Sequence, residues 1–559
     1  MRARRSTTTA VAAAVLAVGG VSPALAGPSG ATDTSSVPAL SATTAPSATS
    51  AATAATPAVS RVAGADRYAT SVAASRAAFP AGPHPSVVYL VSGTSPWESL
   101  SATPAAVRRD GGVLLTRADG IPSTVAAELD RLAPESIVVV GSTAVLSDTV
   151  LAQARTHAPD VRRVAGGSRY QTAQALVRNA FPAGSATTAW IATGRVWTDG
   201  LVAGAAAAAH RAPLLTVDGT ATSLAASTVS LIRDLGLTSV TIVGGTGAVS
   251  RGIETELDGL LGAAQVTRAS GSDRYAVAVS VNRLAFPALA PGTAYVANGR
   301  DFVNGLAGAF LAGSRQRPLH LTEPFCVPAA VRPSLAAASV TRVTLLGGER
   351  SVRGLVATLE ACRSTTSASS LWVLANKRNP LRPTSYVPGS LTVPAVAYPN
   401  GERLRSDAAA AVARMFSAAR AEGAGRMAVA SGYRSYATQY SVYWNRVATH
   451  GKAYADRWIA RPGHSEHQTG LTLDVAPVGD PSCSAHTCIG STPQGAWLRR
   501  NAWRFGFVLR YESGYSSVTG YSGEPWHFRY VGIPLATAYR NGGWHTLEQF
   551  LDEPAAPAY

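Results

Sequence analysis

The chain has 559 residues, of which only 15% are charged, and it carries a formal net charge of +16. A chain of this length exceeds what one hydrophobic core can organise, so about three or four domains are expected and a single-domain fold is excluded. The positive charge is almost wholly arginine and forms no basic run with interleaved aromatics, which argues against nucleic-acid binding and favours anionic wall polymers or lipid surfaces.

The first 26 residues have the pattern of a secretory signal peptide. Arg2, Arg4 and Arg5 precede a short apolar run, and Ala24-Leu25-Ala26 forms a small-residue cleavage site. No later stretch reaches about 18 uninterrupted apolar residues, so no transmembrane segment is expected. Residues 27–60 are nearly all Ser, Thr, Ala and Pro and are expected to be a flexible linker. The sequence therefore predicts a secreted protein.

One phrase then occurs three times along the chain. RVAGADRYATSVAASRAAFP begins at Arg61, RVAGGSRYQTAQALVRNAFP at Arg163, and RASGSDRYAVAVSVNRLAFP at Arg268. Each copy continues with an apolar strand, a glycine turn, an Ala-rich helix and a second apolar strand. Continuous Val, Ile and Leu strands that alternate with helices indicate a parallel sheet covered on both faces. None of the turns reads G-x-G-x-x-G, so a dinucleotide site is not predicted.

These phrases resemble the cell-wall-binding repeat type 2 family, with repeats at 61–161, 162–266 and 267–362. The resemblance implies three tandem α/β units that pack together and hold an exported protein on the wall through an anionic polymer. The family usually has Asp-Ala-Leu after the first glycine turn, where this chain has three variants. The Arg-Tyr pairs and these polar positions either contact a ligand or tie the units together; the sequence leaves both readings open. The variants are Glu98-Ser99-Leu100, Asp199-Gly200-Leu201 and Asn304-Gly305-Leu306.

The four cysteines suit an oxidising compartment. Cys483 and Cys488 lie in one short loop, which leaves Cys326 and Cys362 for each other. An even count at such spacing favours two disulfides over metal ligation.

After a short Ser/Thr linker at 363–370, a new domain is expected over 371–551. It contains ARPGHSEHQTGLTLDVA at 460–476. A helix from His467 to Asp474 would separate these side chains by roughly 10 Å along its axis, too far to bind one ion. LTLDV instead alternates in the manner of a strand, so Asp474 is expected to face a site that His467 reaches from the preceding loop.

Two ligands are too few for a catalytic zinc, which normally takes three protein groups. The best source of the third is SGEPWHFRYVG, where Glu524 and His527 flank Pro525 and Trp526. His464 is interpreted as a structural loop histidine. His486 and His545 have no acidic partner in a suggestive frame.

SEHQTGLTLD and EPWH together resemble the zinc D-alanyl-D-alanine carboxypeptidases of the VanY type, as do SGYRSYATQY and NKRNPLRPTSYVP. The resemblance implies an α+β zinc peptidase domain in which His467, Asp474 and His527 bind Zn²⁺ and Glu524 is the catalytic base. It also implies that Arg434 steadies the reacting carbonyl. Two further positions, Gln439 and Ser465, match residues that help seat the substrate.

The expected whole is a multidomain chain with three tandem α/β wall-binding repeats, built on parallel sheets, before an α+β zinc peptidase. Its expected activity is removal of the terminal D-alanine from peptidoglycan stem peptides at the cell wall. An L,D-carboxypeptidase or a peptidoglycan endopeptidase on the same zinc fold is the nearest alternative. A wall-binding protein with an inactive peptidase domain is a further one.

Overall fold

The computed structural model describes residues 57–80, 84–288, 290–337, 339–396, 400–483 and 485–559. The predicted signal peptide and most of the predicted linker lie outside the described residues. Among the residues that are described, no helix is both long and apolar enough to cross a bilayer.

The first part of the chain forms three α/β units, each with a four-stranded parallel sheet. This confirms the predicted fold class for the repeats. The first repeat contains β1 Ala58–Val62, α1 Arg67–Ala78, β2 Val87–Ser92, α2 Ala102–Arg108, β3 Gly112–Thr116, α3 Ser123–Leu132, β4 Ser136–Val140 and α4 Asp148–Ala154.

The second and third repeats follow the same order of elements. The second contains β5 Asp160–Val164, α5 Arg169–Ala180, β6 Thr188–Thr193, α6 Trp197–Ala209, β7 Leu214–Val217, α7 Ala226–Leu235, β8 Ser239–Val243 and α8 Arg251–Leu261. The third contains β9 Val266–Ala269, α9 Arg274–Ala285, β10 Gly292–Asn298, α10 Phe302–Ser314, β11 Leu319–Thr322, α11 Arg332–Leu335, β12 Val340–Leu346 and α12 Gly354–Ala357.

The first strand of each repeat belongs to the sheet of another repeat. The sheets run β3-β2-β4-β5, β7-β6-β8-β9 and β11-β10-β12-β1. Strand β1 therefore pairs with β12 of the third repeat and closes the three units into a ring. It begins at Ala58, inside the segment predicted as linker, because its hydrogen-bonding partner lies almost 300 residues away and leaves no local signal.

The arginines of the repeated phrase make two sets of hydrogen bonds. The arginine of each Arg-Tyr pair is the first residue of a helix and donates to the carbonyl of a glycine turn: Arg67 to Gly93, Arg169 to Gly194 and Arg274 to Gly299. The arginine that begins each phrase donates to the carbonyl of a glycine that follows the adjacent strand of the same sheet, and this strand belongs to another repeat: Arg61 to Gly347, Arg163 to Gly141 and Arg268 to Gly244. The first set of bonds lies within one repeat, whereas the second set joins one repeat to another and favours the reading in which the phrase ties the units together.

The Ala-rich helices α2, α6 and α10 pack against one another at the centre of the ring. Their close approach depends on small residues after the polar position. A Cβ atom at Gly200 would lie 2.5 Å from Leu100, and one at Gly305 would lie 2.6 Å from Leu201. The leucine of one repeat thus fills the space that the small residue of the next repeat leaves, which gives the polar-small-Leu pattern a packing role.

Asp199 of this pattern is buried, and burial raises its pKa from 3.8 to about 6. The folded protein therefore keeps this proton to higher pH than the unfolded chain, and stability is lost as the pH rises from about 4 through about 6. We expect Asp199→Asn to stabilise the protein at pH 7.5, by an amount on the order of 2–3 kcal/mol, and to have little effect near pH 4. Thermal unfolding at both pH values measures this; an equal effect at both would contradict it.

The last part of the chain is an α+β domain, as predicted. Its antiparallel sheet has the order β15-β16-β18-β17. The elements are β13 Leu391–Thr392, β14 Leu404–Arg405, α13 Ser406–Ala421, β15 Arg426–Ser431, α14 Tyr436–His450, α15 Lys452–Trp458, β16 Thr472–Val478, α16 Pro493–Asn501, β17 Phe507–Leu509, α17 Ser516–Thr519, β18 His527–Tyr530, α18 Ile533–Asn541 and α19 Leu547–Phe550.

A shared hydrophobic cluster joins this domain to the third repeat. The ring centroid of Phe325, in the repeat, lies 6.3 Å from that of Trp372 and 6.5 Å from that of Phe550. The buried Arg353 stacks on Trp544 at 4.4 Å and donates to the carbonyl of Phe550. The predicted linker at 363–370 is itself held, since the Thr365 hydroxyl donates to Glu553. The two parts therefore share a core in addition to having their own.

Both predicted disulfides are present, Cys326–Cys362 and Cys483–Cys488. The first closes the end of the third repeat beside the shared cluster, which includes Cys326. The second closes the loop that follows β16.

Candidate active site

Three side chains with ligating atoms meet at two neighbouring strands of the antiparallel sheet. Asp474 on β16 lies directly opposite His527, the first residue of β18. Alternation along β16 places Leu471, Leu473 and Val475 in the core and turns Asp474 to the other face, as the sequence pattern predicts. His467 comes from a 3-10 helix, Glu466–Thr469, rather than from an irregular loop.

The geometry of the three groups suits one metal ion. Their candidate ligand atoms all lie within 4.8 Å of one another. Nε2 of His467 is 3.4 Å from Oδ2 of Asp474, and Nδ1 of His527 is 3.3 Å from Oδ1 of the same carboxylate. All three side chains are buried.

The surrounding hydrogen bonds also fit a metal. Nδ1 of His467 lies 2.7 Å from the carbonyl of Gly432. Because a carbonyl only accepts, Nδ1 carries the hydrogen and Nε2 is free to bind a cation. Oδ1 of Asp474 is buried and has no hydrogen-bond partner among the described residues. Two imidazoles and one carboxylate are a donor set of catalytic zinc sites, so the residues present fit Zn²⁺.

The charges of the site also favour a bound cation. Burial alone raises the pKa of Asp474, but His467 and His527 together hold it well below its ordinary value. Burial alone lowers the pKa of His527, but the nearby carboxylates of Asp474, Glu466 and Glu524 raise it well above its ordinary value. Asp474 and Glu524 are two buried carboxylates beside Nδ1 of His527, and a divalent cation bound there would balance their charge.

Glu524 lies in the turn before β18, three residues ahead of His527. Its Oε2 atom is 3.3 Å from Nδ1 of His527, the same nitrogen that faces Asp474. The carboxylate is therefore on the side of the imidazole where a metal would lie. A carboxylate at this position can accept a proton from a water molecule beside the ion.

These groups line a cavity of about 510 Å³, which Arg434, Gln439 and Ser465 also line. Arg434 lies in the turn between β15 and α14. Its guanidinium donates to Oε1 of Gln439 at 3.1 Å and to Oγ of Ser431 at 2.9 Å. Both partners are neutral, so these bonds orient the guanidinium without cancelling its charge, unlike a surface salt bridge.

The other histidines of this domain have separate contacts. Nδ1 of His464 lies 2.8 Å from the carbonyl of Asn376, which agrees with its structural interpretation. His486 lies edge-on to Trp526 at the cavity wall. Nδ1 of His545 lies 2.8 Å from Oε2 of Glu512, an acidic partner that is distant in sequence. The pair is 33 residues apart and falls outside any local motif.

A buried charge network behind the site was not predicted. Oε1 of Glu466 accepts from Arg510 and Arg529 at 2.9 Å each, and Arg510 also binds Glu548. The side chains of all four residues are fully buried. The second carboxylate oxygen of Glu466 is 3.7 Å from Nε2 of His527. The network therefore supports His527 at Nε2, the ring nitrogen that does not face Asp474 and Glu524.

The Glu466 network had one signal in the sequence, the adjacency of Glu466 to His467. Its arginine partners carry no such signal, because each follows an apolar strand residue and could equally be exposed.

Comparison with known proteins agrees with this division of the chain. Residues 401–533 match the family VanY, D-alanyl-D-alanine carboxypeptidase. Residues 61–151, 163–254 and 268–356 match the family Cell wall binding domain 2. Both resemblances read from the sequence are confirmed.

Individual relatives resemble the last part of the chain. YodJ of Bacillus subtilis is 34% identical over 200 residues, which are 35% of this chain and 72% of YodJ. A D-alanyl-D-alanine carboxypeptidase of Enterococcus faecalis is 36% identical over 189 residues, 32% of this chain and 65% of that protein. A solved structure of a vancomycin resistance D,D-pentapeptidase in complex with Zn(II) is 36% identical, covers 33% of this chain and 99% of its own, and has a TM-score of 0.28.

Proposed function

Since the chain belongs to the VanY family of D-alanyl-D-alanine carboxypeptidases, we propose that it is a secreted zinc enzyme that removes the terminal D-alanine from peptidoglycan stem peptides. The observation that carries the proposal is the buried group of His467, Asp474 and His527 with Glu524 beside it in one cavity. The complete set of these side chains also argues against an inactive peptidase domain.

In this mechanism His467, Asp474 and His527 would hold Zn²⁺, which would polarise the scissile carbonyl and make a water molecule more acidic. Glu524 accepts a proton from the attacking water and passes it to the nitrogen of the departing D-alanine. Each proton transfer requires the Glu524 carboxylate to lie within hydrogen-bond distance of the water or of the departing nitrogen. The position of Glu524 beside His527 allows this.

Arg434 supplies positive charge for the carbonyl oxygen as it becomes negative during attack. The bond from Arg434 to Gln439 and the bond from the Gln439 amide to the carbonyl of Ala460, at 2.7 Å, hold both side chains before substrate arrives. Gln439 and Ser465 border the same cavity and are assigned to seating the peptide. Such preorganisation reduces the reorganisation that the reaction requires.

The chain-length specificity is tested with two defined peptides, a stem pentapeptide and the corresponding tetrapeptide. Mass spectrometry of the products should show loss of one D-alanine from the pentapeptide and no change in the tetrapeptide. Cleavage of the tetrapeptide would identify an L,D-carboxypeptidase instead. Cleavage inside a cross-linked dimer would identify an endopeptidase.

The three repeats are assigned to holding the enzyme on the wall through an anionic polymer. The arginine-rich composition suits this ligand, and salt screens such contacts. We expect the full chain to sediment with purified walls and its bound fraction to fall as NaCl rises from about 0.05 to about 0.5 M. Over this range the Debye length falls roughly threefold, so the contacts between charges are weakened. Walls stripped of anionic polymer are the control. A bound fraction that changes neither with salt nor with removal of the anionic polymer would contradict the assignment.

A further inference from the structure

Exposed aromatic side chains are confined to one place in the described part of the chain. The large aromatic residues with high exposure all lie on two consecutive helices, α14 and α15, of the peptidase domain. They are Tyr436, Tyr440, Trp444, Tyr454 and Trp458. Aromatic groups left in water next to a catalytic cavity are a feature of ligand-binding surfaces.

The five residues divide into two surfaces. Tyr454 and Trp458 on α15 line the cavity that holds the candidate metal ligands. Tyr436, Tyr440 and Trp444 recur every four residues along α14 and are not among the cavity-lining residues. We call Tyr454 and Trp458, together with His450 beside them, the aromatic rim.

Contacts among neighbouring side chains arrange the aromatic rim in the absence of a ligand. The rings of His450 and Tyr454 are stacked with centroids 4.7 Å apart, and Tyr454 lies 6.4 Å from Trp458. The hydroxyl of Tyr443 on α14 donates to Asp456 on α15 at 2.7 Å, which ties the two helices together. A prearranged aromatic surface loses little conformational entropy when a ligand packs on it.

We propose that the aromatic rim binds the N-acetylated sugar that carries the stem peptide, so that the enzyme recognises the glycan as well as the peptide. This rests on the proposed function, because the glycan is covalently joined to that substrate. A pyranose ring presents a face of C–H groups, which packs on the negative face of an aromatic ring. Arg446, which lines the same cavity, can donate to sugar hydroxyl and acetamido oxygens.

The position of the rim favours a sugar over a lipid surface. Tyr454 and Trp458 line the cavity and are also exposed to solvent, so a group that projects from a peptide bound in the cavity can pack on them. Trp444 is more exposed than Trp458, 47% against 37%, and lies outside the cavity lining. A lipid surface would engage Trp444 at least as readily, whereas a sugar joined to a peptide in the cavity would engage only Trp458.

This difference supplies a matched control. Trp458→Ala and Trp444→Ala are compared in the full chain carrying Glu524→Gln, so that binding is measured without turnover. The ligands are a free stem pentapeptide and the same pentapeptide joined to its disaccharide. We expect Trp458→Ala to weaken disaccharide-pentapeptide binding about tenfold and free-pentapeptide binding by less than about twofold. Trp444→Ala should alter neither.

Three results would overturn the proposal. Equal weakening of both ligands by Trp458→Ala would mean that the rim contacts the peptide. No effect on either would mean that the rim binds neither. Loss of binding to phosphatidylglycerol vesicles in both tryptophan variants, with unchanged disaccharide-pentapeptide binding, would identify a lipid surface. Failure of the proposed function is distinct, because the parent chain with Glu524 would then release no D-alanine from either ligand.

Discussion

His467→Ala is expected to remove both zinc and activity from the protein. Catalytic zinc is normally held by three protein ligands, and two remaining groups bind it too weakly to survive purification. Zinc content should fall from about one ion per chain to near zero, and D-alanine release should fall by roughly 10³-fold or more, since the ion supplies both carbonyl polarisation and an acidic water. Metal analysis and a D-alanine assay on the same preparation measure the two effects.

His464→Ala is the matched control, because it removes the same side chain three residues away. His464 binds the carbonyl of Asn376 and is not part of the candidate ligand group. The His464→Ala variant should therefore keep its zinc. If His467→Ala retains one zinc per chain while His464→Ala loses it, the ligand assignment is wrong and His464 takes the place of His467.

Glu524→Gln is expected to separate metal binding from catalysis. The amide keeps the size of the side chain but cannot accept a proton from water, so turnover should fall by about 10²-fold or more while zinc stays bound. Sedimentation with cell walls should be unchanged, because Glu524 is remote in sequence from the repeats and lines two cavities formed by residues of the peptidase domain. Measuring zinc content, D-alanine release and wall binding on this one variant tests whether Glu524 acts in catalysis alone.

Two other outcomes would change the assignment of Glu524. Near-normal D-alanine release would mean that it is not the base, and Glu466 would be the next carboxylate to test. The structure makes Glu466 a poor base, because Arg510 and Arg529 already occupy one of its oxygens. Loss of zinc would instead make Glu524 a ligand and leave water activation without an assigned residue.

Local patterns were sufficient to predict the parts of the site that lie close together in sequence. The alternation of LTLDV put Asp474 on a strand facing away from the core, and β16 has this arrangement. The pairing of Asp474 with His527 depends on strand register between segments about 50 residues apart, which no local pattern reports. The resemblance to a known family, rather than periodicity, implied in advance that both residues bind the same ion.

Long-range packing explains what was missed. In the sequence, the first residues of β1 resemble the end of a polar linker, because the strand that forms hydrogen bonds with them, β12, is distant along the chain. Arg510 and Glu548 look like ordinary charged residues until the fold buries them as a pair that also reaches Glu466. Buried ion pairs of this kind depend on tertiary contacts, so sequence spacing gives no indication of them.

The most direct test of the central claim, that this chain is a zinc carboxypeptidase, is D-alanine release from a stem pentapeptide before and after removal of the metal. The purified full chain is assayed as isolated, after treatment with a zinc chelator, and after addition of one equivalent of Zn²⁺. The account predicts release of one D-alanine per peptide, loss of release on chelation, and recovery with zinc. Release that persists in chelated protein verified to be free of metal would contradict it.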